Sequence, residues 1–395
     1  MQEIGILQRP FFYDMVVEDN SIYFPMALYN ALCKGNLANN EVKILAVFPQ
    51  TPSYEYCAYA GVYKFNNYLL FDPHDNNKNK YFLLYDFCRS EFIKLSNEDN
   101  SCSNSIYERN EKIYCVSRHT AQISAVDLQK LSVKRISCNK YISDNAQINE
   151  IVKVDGIIYI PQNEKRVMLV FDMDKEELKY YNFPINIISI VTICYADGEF
   201  WITGKNNKLY KWKLCETKAH EVAEYPGNIK LFYKENIWFS HSFIYNDTLW
   251  LFPCYADAIL KYNLLTNKFE KIEIMGEEES IDQIEEELKN GRGFASKYGR
   301  VYKCGNKVYF LSSKTRIFYE LNLQTCEIIR HDFKVNNNYN GQIYPPSVKG
   351  IMSEMYYSGG IKCLIKGWKS GIVKDNMRKH PDNSFGKILH DYIRL

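Results

Sequence analysis

The sequence predicts an all-β fold in which seven copies of one strand–loop–strand frame, each completed to a small sheet, stack in a closed ring. The first observation is the frame itself. Its clearest copy is Leu249-Trp250-Leu251-Phe252-Pro253, a short gap, then Ile259-Leu260-Lys261-Tyr262-Asn263-Leu264. The same frame returns over residues 22–37, 69–87, 113–128, 158–173, 200–214 and 308–323. The second observation is composition: 32 tyrosines and 22 phenylalanines suit the pleated faces of strands. The third is physical. A unit of a few short strands cannot bury its faces alone, so copies must stack, and a ring leaves few free edges.

The repeat interval sets the size of each unit. The residue before the last apolar position of each copy is Asn36, Asp86, Asp127, Asp172, Lys213, Asn263 and Asn322, so the copies recur every 41 to 59 residues. Four-stranded blades of β-propellers recur at about 40–50 residues, and the chain is read as a seven-bladed β-propeller. The strongly apolar run of each copy is assigned as the second strand. Polar pairs that suit hairpin turns precede it, as in Asp155-Gly156, Asp197-Gly198, Asn246-Asp247 and Gly305-Asn306. The next run is the third strand, and a fourth, outer strand is expected near 43–47, 91–95, 133–136, 179–183, 221–224, 268–272 and 327–332. Pro25, Pro73, Pro161 and Pro253 close four of the second strands, since proline cannot donate to a ladder. Closure of the ring is expected from residues 11–17 pairing with the last blade.

Two stretches depart from the repeat. Ser280 followed by Gln283 opens like a capping box. Ile281, Ile284 and Leu288 share one helical face and Gly291 supplies a stop. A short helix inserted at about 277–291 therefore fills the longest interval, and its acidic run is read as a solvated face. After residue 333 the pattern fades into a polar stretch, and residues 385–393 have helical spacing. The domain reading is a propeller over 1–333 and a C-terminal extension over 334–395, with a short helical tail packing on the propeller.

Whole-chain charge excludes little chemistry but gives no footprint for nucleic acid or membrane: 49 lysines and arginines face 47 acids. No apolar run reaches the roughly 18 residues of a membrane span, and the first ten residues carry no secretory pattern. The 12 cysteines are scattered with no Cys-x-x-Cys pair, so neither a structural zinc site nor a disulfide framework is expected. Buried reduced thiols in a cytoplasmic protein are the expectation, with no cofactor and no metal. His74, in Asp72-Pro73-His74-Asp75, is read as a turn residue rather than a ligand.

The frame as a whole resembles blades of seven-bladed β-propellers over about residues 11–333. Asp197-Gly198-Glu199-Phe200-Trp201-Ile202-Thr203 followed by Leu209-Tyr210-Lys211-Trp212-Lys213-Leu214 looks like blades of the streptogramin-lyase type. The Trp-Asp and Gly-His signatures of WD40 repeats and the double glycine of kelch repeats are missing. The chain looks like uncharacterised bacterial propellers, so the resemblance implies a fold and no activity. No catalytic histidine or glutamate of the lyases falls on a matching position.

In propellers the loops between second and third strands share one face. Here they gather Arg118, His119, Lys165, Arg166, Lys205, Lys314 and Arg316 against Asp72, Asp75, Glu164 and Asp257. A net basic mouth suits an anionic small molecule, a charged sugar or an acidic protein partner; the same charges read equally as solvated loop residues. The ligand-binding set is Arg118, Arg166, Lys205, Lys314 and Arg316. The alternative is a propeller lyase or hydrolase using His119 or His241 with Asp257 as an acid/base pair, which requires hydrogen-bond reach between them. A carbohydrate-binding accessory protein is the third reading, with Tyr54, Tyr56, Tyr59 and Tyr63 as its aromatic wall; those rings also suit packing between blades.

Overall fold

A computed structural model describes residues 9–49, 58–73, 81–95, 103–117, 122–138, 150–231, 237–274, 297–313, 315–336 and 338–343. The described residues are all-β, and their sheets are the seven blades of a β-propeller. Blade 1 is β1 (Val16–Glu18), β2 (Ser21–Met26), β3 (Ala31–Asn36) and β4 (Glu41–Val47). Blade 2 is β5 (Tyr59–Phe65), β6 (Tyr68–Pro73), β7 (Leu83–Asp86) and β8 (Glu91–Lys94). Blade 3 is β9 (Ser103–Arg109), β10 (Lys112–Ser117), β11 (Gln122–Asp127) and β12 (Ser132–Ser137). Blade 4 is β13 (Val152–Val154), β14 (Ile157–Gln162), β15 (Val167–Asp172) and β16 (Glu177–Asn182). Blade 5 is β17 (Thr192–Ala196), β18 (Glu199–Thr203), β19 (Lys208–Trp212) and β20 (His220–Glu224). Blade 6 is β21 (Phe239–Tyr245), β22 (Thr248–Pro253), β23 (Ile259–Asn263) and β24 (Lys268–Ile272). Blade 7 is β25 (Tyr298–Cys304), β26 (Lys307–Ser312), β27 (Phe318–Asn322) and β28 (Ile328–His331). Each blade keeps its four strands in chain order as a meander, with the first strand at one edge and the fourth at the other, except in blade 1, where a further strand pairs with the fourth.

Turn chemistry explains why the repeat is legible. The marker before the last apolar position accepts a hydrogen bond from the backbone N–H two residues on, the Asx turn. Ala38 N donates to Asn36 Oδ1 (2.8 Å), Cys88 N to Asp86 (2.8 Å), Gln129 N to Asp127 (3.1 Å), Asp174 N to Asp172 (3.0 Å), Leu265 N to Asn263 (3.0 Å) and Gln324 N to Asn322 (2.9 Å). Lys213 cannot accept, and blade 5 closes this turn differently: Glu216 N donates to Lys213 O and Trp212 Nε1 to Glu216 O, both at 3.0 Å. The hairpins between first and second strands need positive φ, and they carry Asp, Asn or Gly there, as at Asp155 (51°), Asp197 (52°), Gly198 (82°) and Gly305 (59°), except for Glu111 (61°) in blade 3. Pro73 and Pro253 end their strands, whereas β2 and β14 run one residue past Pro25 and Pro161.

The chain divides into two compact units, residues 1–93 with 314–318 and 330–395, and residues 94–313 with 319–329. In the first, Val16, Leu32, Phe48, Tyr59, Phe71 and Leu83 bury the facing surfaces of blades 1 and 2. In the second, three such cores lie between blades 3 and 4, 4 and 5, and 5 and 6. Trp212 is wholly buried between blades 4 and 5, and Tyr262 and Leu249 between blades 5 and 6. Burying such side chains stabilises by about 1.5–3 kcal/mol each, which makes stacking of blades the dominant favourable term.

The expected closing pair is corrected. Residues 16–18 are the first strand of blade 1, not a strand of the last blade. Every blade already has four strands of its own, so no edge waits for the N-terminus. The segment after blade 7 instead supplies β29 (Lys334–Asn336), a fifth strand lying parallel to β4, followed by the small hairpin β30 (Asn338–Tyr339) and β31 (Gln342–Ile343). Gly35 admits this arrangement: a Cβ there would lie 2.7 Å from Ile22 and 3.3 Å from the Phe333 ring. Residues 9–12 contribute side chains rather than a strand. Arg9 grips Asp332 through Nε (2.8 Å) and Nη2 (3.1 Å) and donates to Thr315 O (2.9 Å), while Phe12 packs against Phe24 and Phe318. The expected helix at 277–291 and the tail beyond residue 343 lie outside the described residues.

A double-mutant cycle of Arg9→Ala and Asp332→Ala, read by urea unfolding, is expected to show a coupling of up to about 1 kcal/mol for this part-exposed pair. Additive effects would mean that the contact contributes nothing.

Candidate functional site

The first strand of each blade pairs on one side only, so N–H groups on its other side need another acceptor. In the second unit the first strands of blades 4, 5 and 6 lie side by side, and the acceptor is Glu150, two residues before β13. Its Oε2 accepts from Ile193 N of β17 (2.9 Å) and its Oε1 from Ser242 N of β21 (2.8 Å). Ser242 Oγ lies 2.7 Å from Oε2. One carboxyl thus bridges three blades. The first unit repeats the device: Asp14, two residues before β1, accepts from Met15 N (2.9 Å) and from Val62 N of β5 (3.1 Å).

Around Glu150 the same strands bring together a polar cluster. Tyr107 of β9 donates its hydroxyl to Ile151 O at 3.1 Å, next to Glu150. Desolvation pushes the Tyr107 hydroxyl up to about 12, with Arg300 of β25 pulling it down and Glu150 raising it further. Cys194 of β17 lies beside Ser242 and Glu150, and burial first, then the Glu150 charge, push its thiol up. Glu150 keeps some exposure as a residue, yet its carboxyl is enclosed deeply enough that desolvation raises its pKa to about 8, against the lowering effect of the bonds from Ser242 and Ile193. At neutral pH it is chiefly a neutral acid, with Ser242 Oγ free to take either hydrogen-bonding role.

The residues singled out in the sequence fall as follows. His241 is in β21, next to Ser242, with its Nδ1 2.9 Å from Ser240 Oγ. Asp257 is held by Lys271 Nζ of β24 (2.7 Å) and Lys230 N (3.1 Å), and it makes no bond to His241 among the described residues. His241 and Asp257 are therefore not paired, and Asp257 neutralises an outer-strand lysine instead; the alternative partner His119 lies outside the described residues. Arg166, at φ 52°, turns its Nη2 onto three backbone carbonyls, those of Pro184 (3.3 Å), Ile185 (3.2 Å) and Ile187 (3.0 Å). Arg316 is 5% exposed with its guanidinium 3.5 Å from the Phe11 ring centre. Both are committed to holding the fold. Lys165 and Lys205 are exposed and have no partner among the described residues. Tyr59 is buried against Phe48, Phe71 and Tyr81, which is packing rather than a wall for sugar. Arg118, His119, Lys314, Tyr54, Tyr56 and His74 lie outside the described residues. No group of metal-ligating side chains occurs among the described residues. No described helix is long and apolar enough to cross a membrane.

Sequence reasoning missed Glu150. The available signal was small: Asp14-Met15-Val16 and Glu150-Ile151-Val152 share an acid–apolar–valine order just ahead of a first strand.

No protein-family profile matches the chain, and no curated protein matches it. Among solved structures it is similar to the computationally designed Ika8 protein, at 8% identity with a TM-score of 0.51 over 87% of this chain and 95% of that one. It is also similar to PorZ, described as an essential bacterial surface component of the type-IX secretion system of Porphyromonas gingivalis. That match has 8% identity and a TM-score of 0.51 over 84% of this chain, but spans 39% of PorZ. At such identities the likeness is one of fold.

Because Glu150 has its pKa raised by folding, its contribution to stability is complete below the ordinary carboxylate range and is lost as pH rises toward and through about 8. Glu150→Gln is expected to flatten the fall of the urea midpoint between about pH 5 and 8 relative to the natural protein. Parallel pH profiles for the two proteins would show that Glu150 is not held neutral.

Proposed function

We propose that this chain is a binding propeller whose loop face takes an anionic ligand or an acidic protein partner. The observation that carries the reading is the charge left over on the loops between second and third strands. Lys165 and Lys205 project into solvent without partners among the described residues, while Asp257, the opposing acid of the β22–β23 loop, is neutralised by Lys271. Unpaired cations on rigid loops attract an anion without first breaking an internal ion pair. Arg166 serves this face indirectly, by fixing the backbone beside it.

Binding is favoured over catalysis because the described groups named for acid/base work, His241 and Asp257, have other partners. His241 bonds Ser240, and Asp257 bonds Lys271. A reducing, cytoplasmic setting belongs to the same proposal. It is supported by free thiols at Cys33, Cys115, Cys138, Cys194 and Cys254, all buried; burial pushes Cys138 up to about 12 and leaves it an unreactive side chain.

Fluorescence anisotropy with labelled poly-glutamate tests this directly. Lys165→Glu with Lys205→Glu is expected to weaken binding at least about tenfold at low salt, with the loss shrinking as salt screens the charges. Unchanged affinity in the double variant would remove the loop face as the site.

A further inference from the structure

We propose that the connector between blades 4 and 5, residues 183–191, is a docking surface for an acidic peptide that carries an aliphatic side chain. The proposal rests on the binding reading above and specifies its partner.

The connector is unusual in what it exposes. Ile185 is 65% exposed and Ile188 82%, whereas Phe183, Ile187 and Ile190 of the same stretch are buried between the two blades. Of the connector's four isoleucines, within residues 185–190, two are buried and two point out. Its backbone is also fixed at nearly every step. Arg166 bonds the carbonyls of Pro184, Ile185 and Ile187. Ile185 N donates to Thr217 O at 2.8 Å. The Asn186 amide accepts from Ala219 N (2.9 Å) and donates to Ala219 O (2.8 Å). The Asn163 amide treats Ile190 in the same way, at 2.7 and 2.9 Å. These side-chain amides imitate a strand neighbour, so the loop is pre-organised and loses little entropy on binding.

Charge decides the partner. Lys218 sits between Thr217 and Ala219, the two residues that hold the outer end of the loop. Lys205 follows Gly204, whose Cβ position lies 3.1 Å from Ser189 O at the inner end. Lys165 adjoins the clamping Arg166. All three lysines are exposed and without a partner among the described residues. Glu164 is the acid adjoining them on the β14–β15 loop, and the Glu216 carboxylate on the other side accepts from Lys213 N. Two fixed aliphatic anchors inside a basic rim complement a peptide with carboxylates flanking a leucine-like residue. A lipid surface fits less well, because a clamped backbone with two isoleucines and no exposed aromatic ring on the connector has little to insert.

The full chain would be titrated by fluorescence anisotropy with two labelled 12-residue peptides, one alternating Glu and Leu, the other Glu and Ser. The Glu/Leu peptide is expected to bind about tenfold tighter, the effect of burying one aliphatic side chain. Ile188→Ser is expected to erase that preference and leave Glu/Ser binding in place, with an unchanged thermal melt since the side chain is exposed. Lys218→Glu weakens both peptides. Equal binding of the two peptides, or a preference that survives Ile188→Ser, overturns the docking surface while the wider reading stands on poly-glutamate binding. Loss of all anion binding in the natural protein overturns both. Ile188-dependent binding to phosphatidylserine vesicles without any peptide preference also overturns it, in favour of a membrane.

Discussion

A meander blade has two edges, and its first strand turns half of its N–H groups toward the next blades rather than toward a partner strand. A buried N–H without an acceptor costs about 1–3 kcal/mol, so the packing of one blade on another depends on what those groups meet. In each compact unit the answer is a carboxyl two residues ahead of a first strand: Asp14 for Val62, Glu150 for Ile193 and Ser242. Because these acids belong to one blade's approach and bond another blade's edge, they tie neighbouring sheets at their inner strands, beside the apolar faces and the outer ion pairs such as Arg109–Asp174. In the second unit the cost of enclosing a carboxyl is limited by keeping it neutral, which is what the raised pKa of Glu150 expresses.

The same logic recurs at the loop ends. Asn30 accepts from Ala58 N, Asn163 brackets Ile190, and Asn186 brackets Ala219. Each is a side chain standing in for a strand where the chain passes from one blade to the next. Rigid connectors are the consequence, and rigidity is what allows Ile185 and Ile188 to remain outside. Structure and proposed function meet here: the bonds that complete the blades also hold the surface proposed to bind.

Much of the fold was legible because the turns impose local demands that repeat. A side chain able to accept from the N–H two residues on is required at Asn36, Asp86, Asp127, Asp172, Asn263 and Asn322, and its chemistry survives in every copy except Lys213, where Glu216 takes over. Closure was not legible. Nothing local distinguishes 334–336 as a strand; it forms because β4 offers an open edge nearly 300 residues away in sequence. The site was less legible still. Arg166 and Arg316 looked like ligand contacts because a loop cation reads alike whether it meets solvent, three carbonyls or the Phe11 ring. Glu150 carries no repeat signal, and its bonds reach 43 and 92 residues along the chain.

The claim that edge amides are sealed by these acids is tested most directly by residue-resolved amide hydrogen exchange. The amides of Val62, Ile193 and Ser242 should exchange as slowly as those paired inside the sheets, and far more slowly than the exposed turn amide of Gly198. Exchange of all three at the rate of Gly198 would mean that the carboxyls do not hold the first strands, and the tie between blades would have to be sought elsewhere.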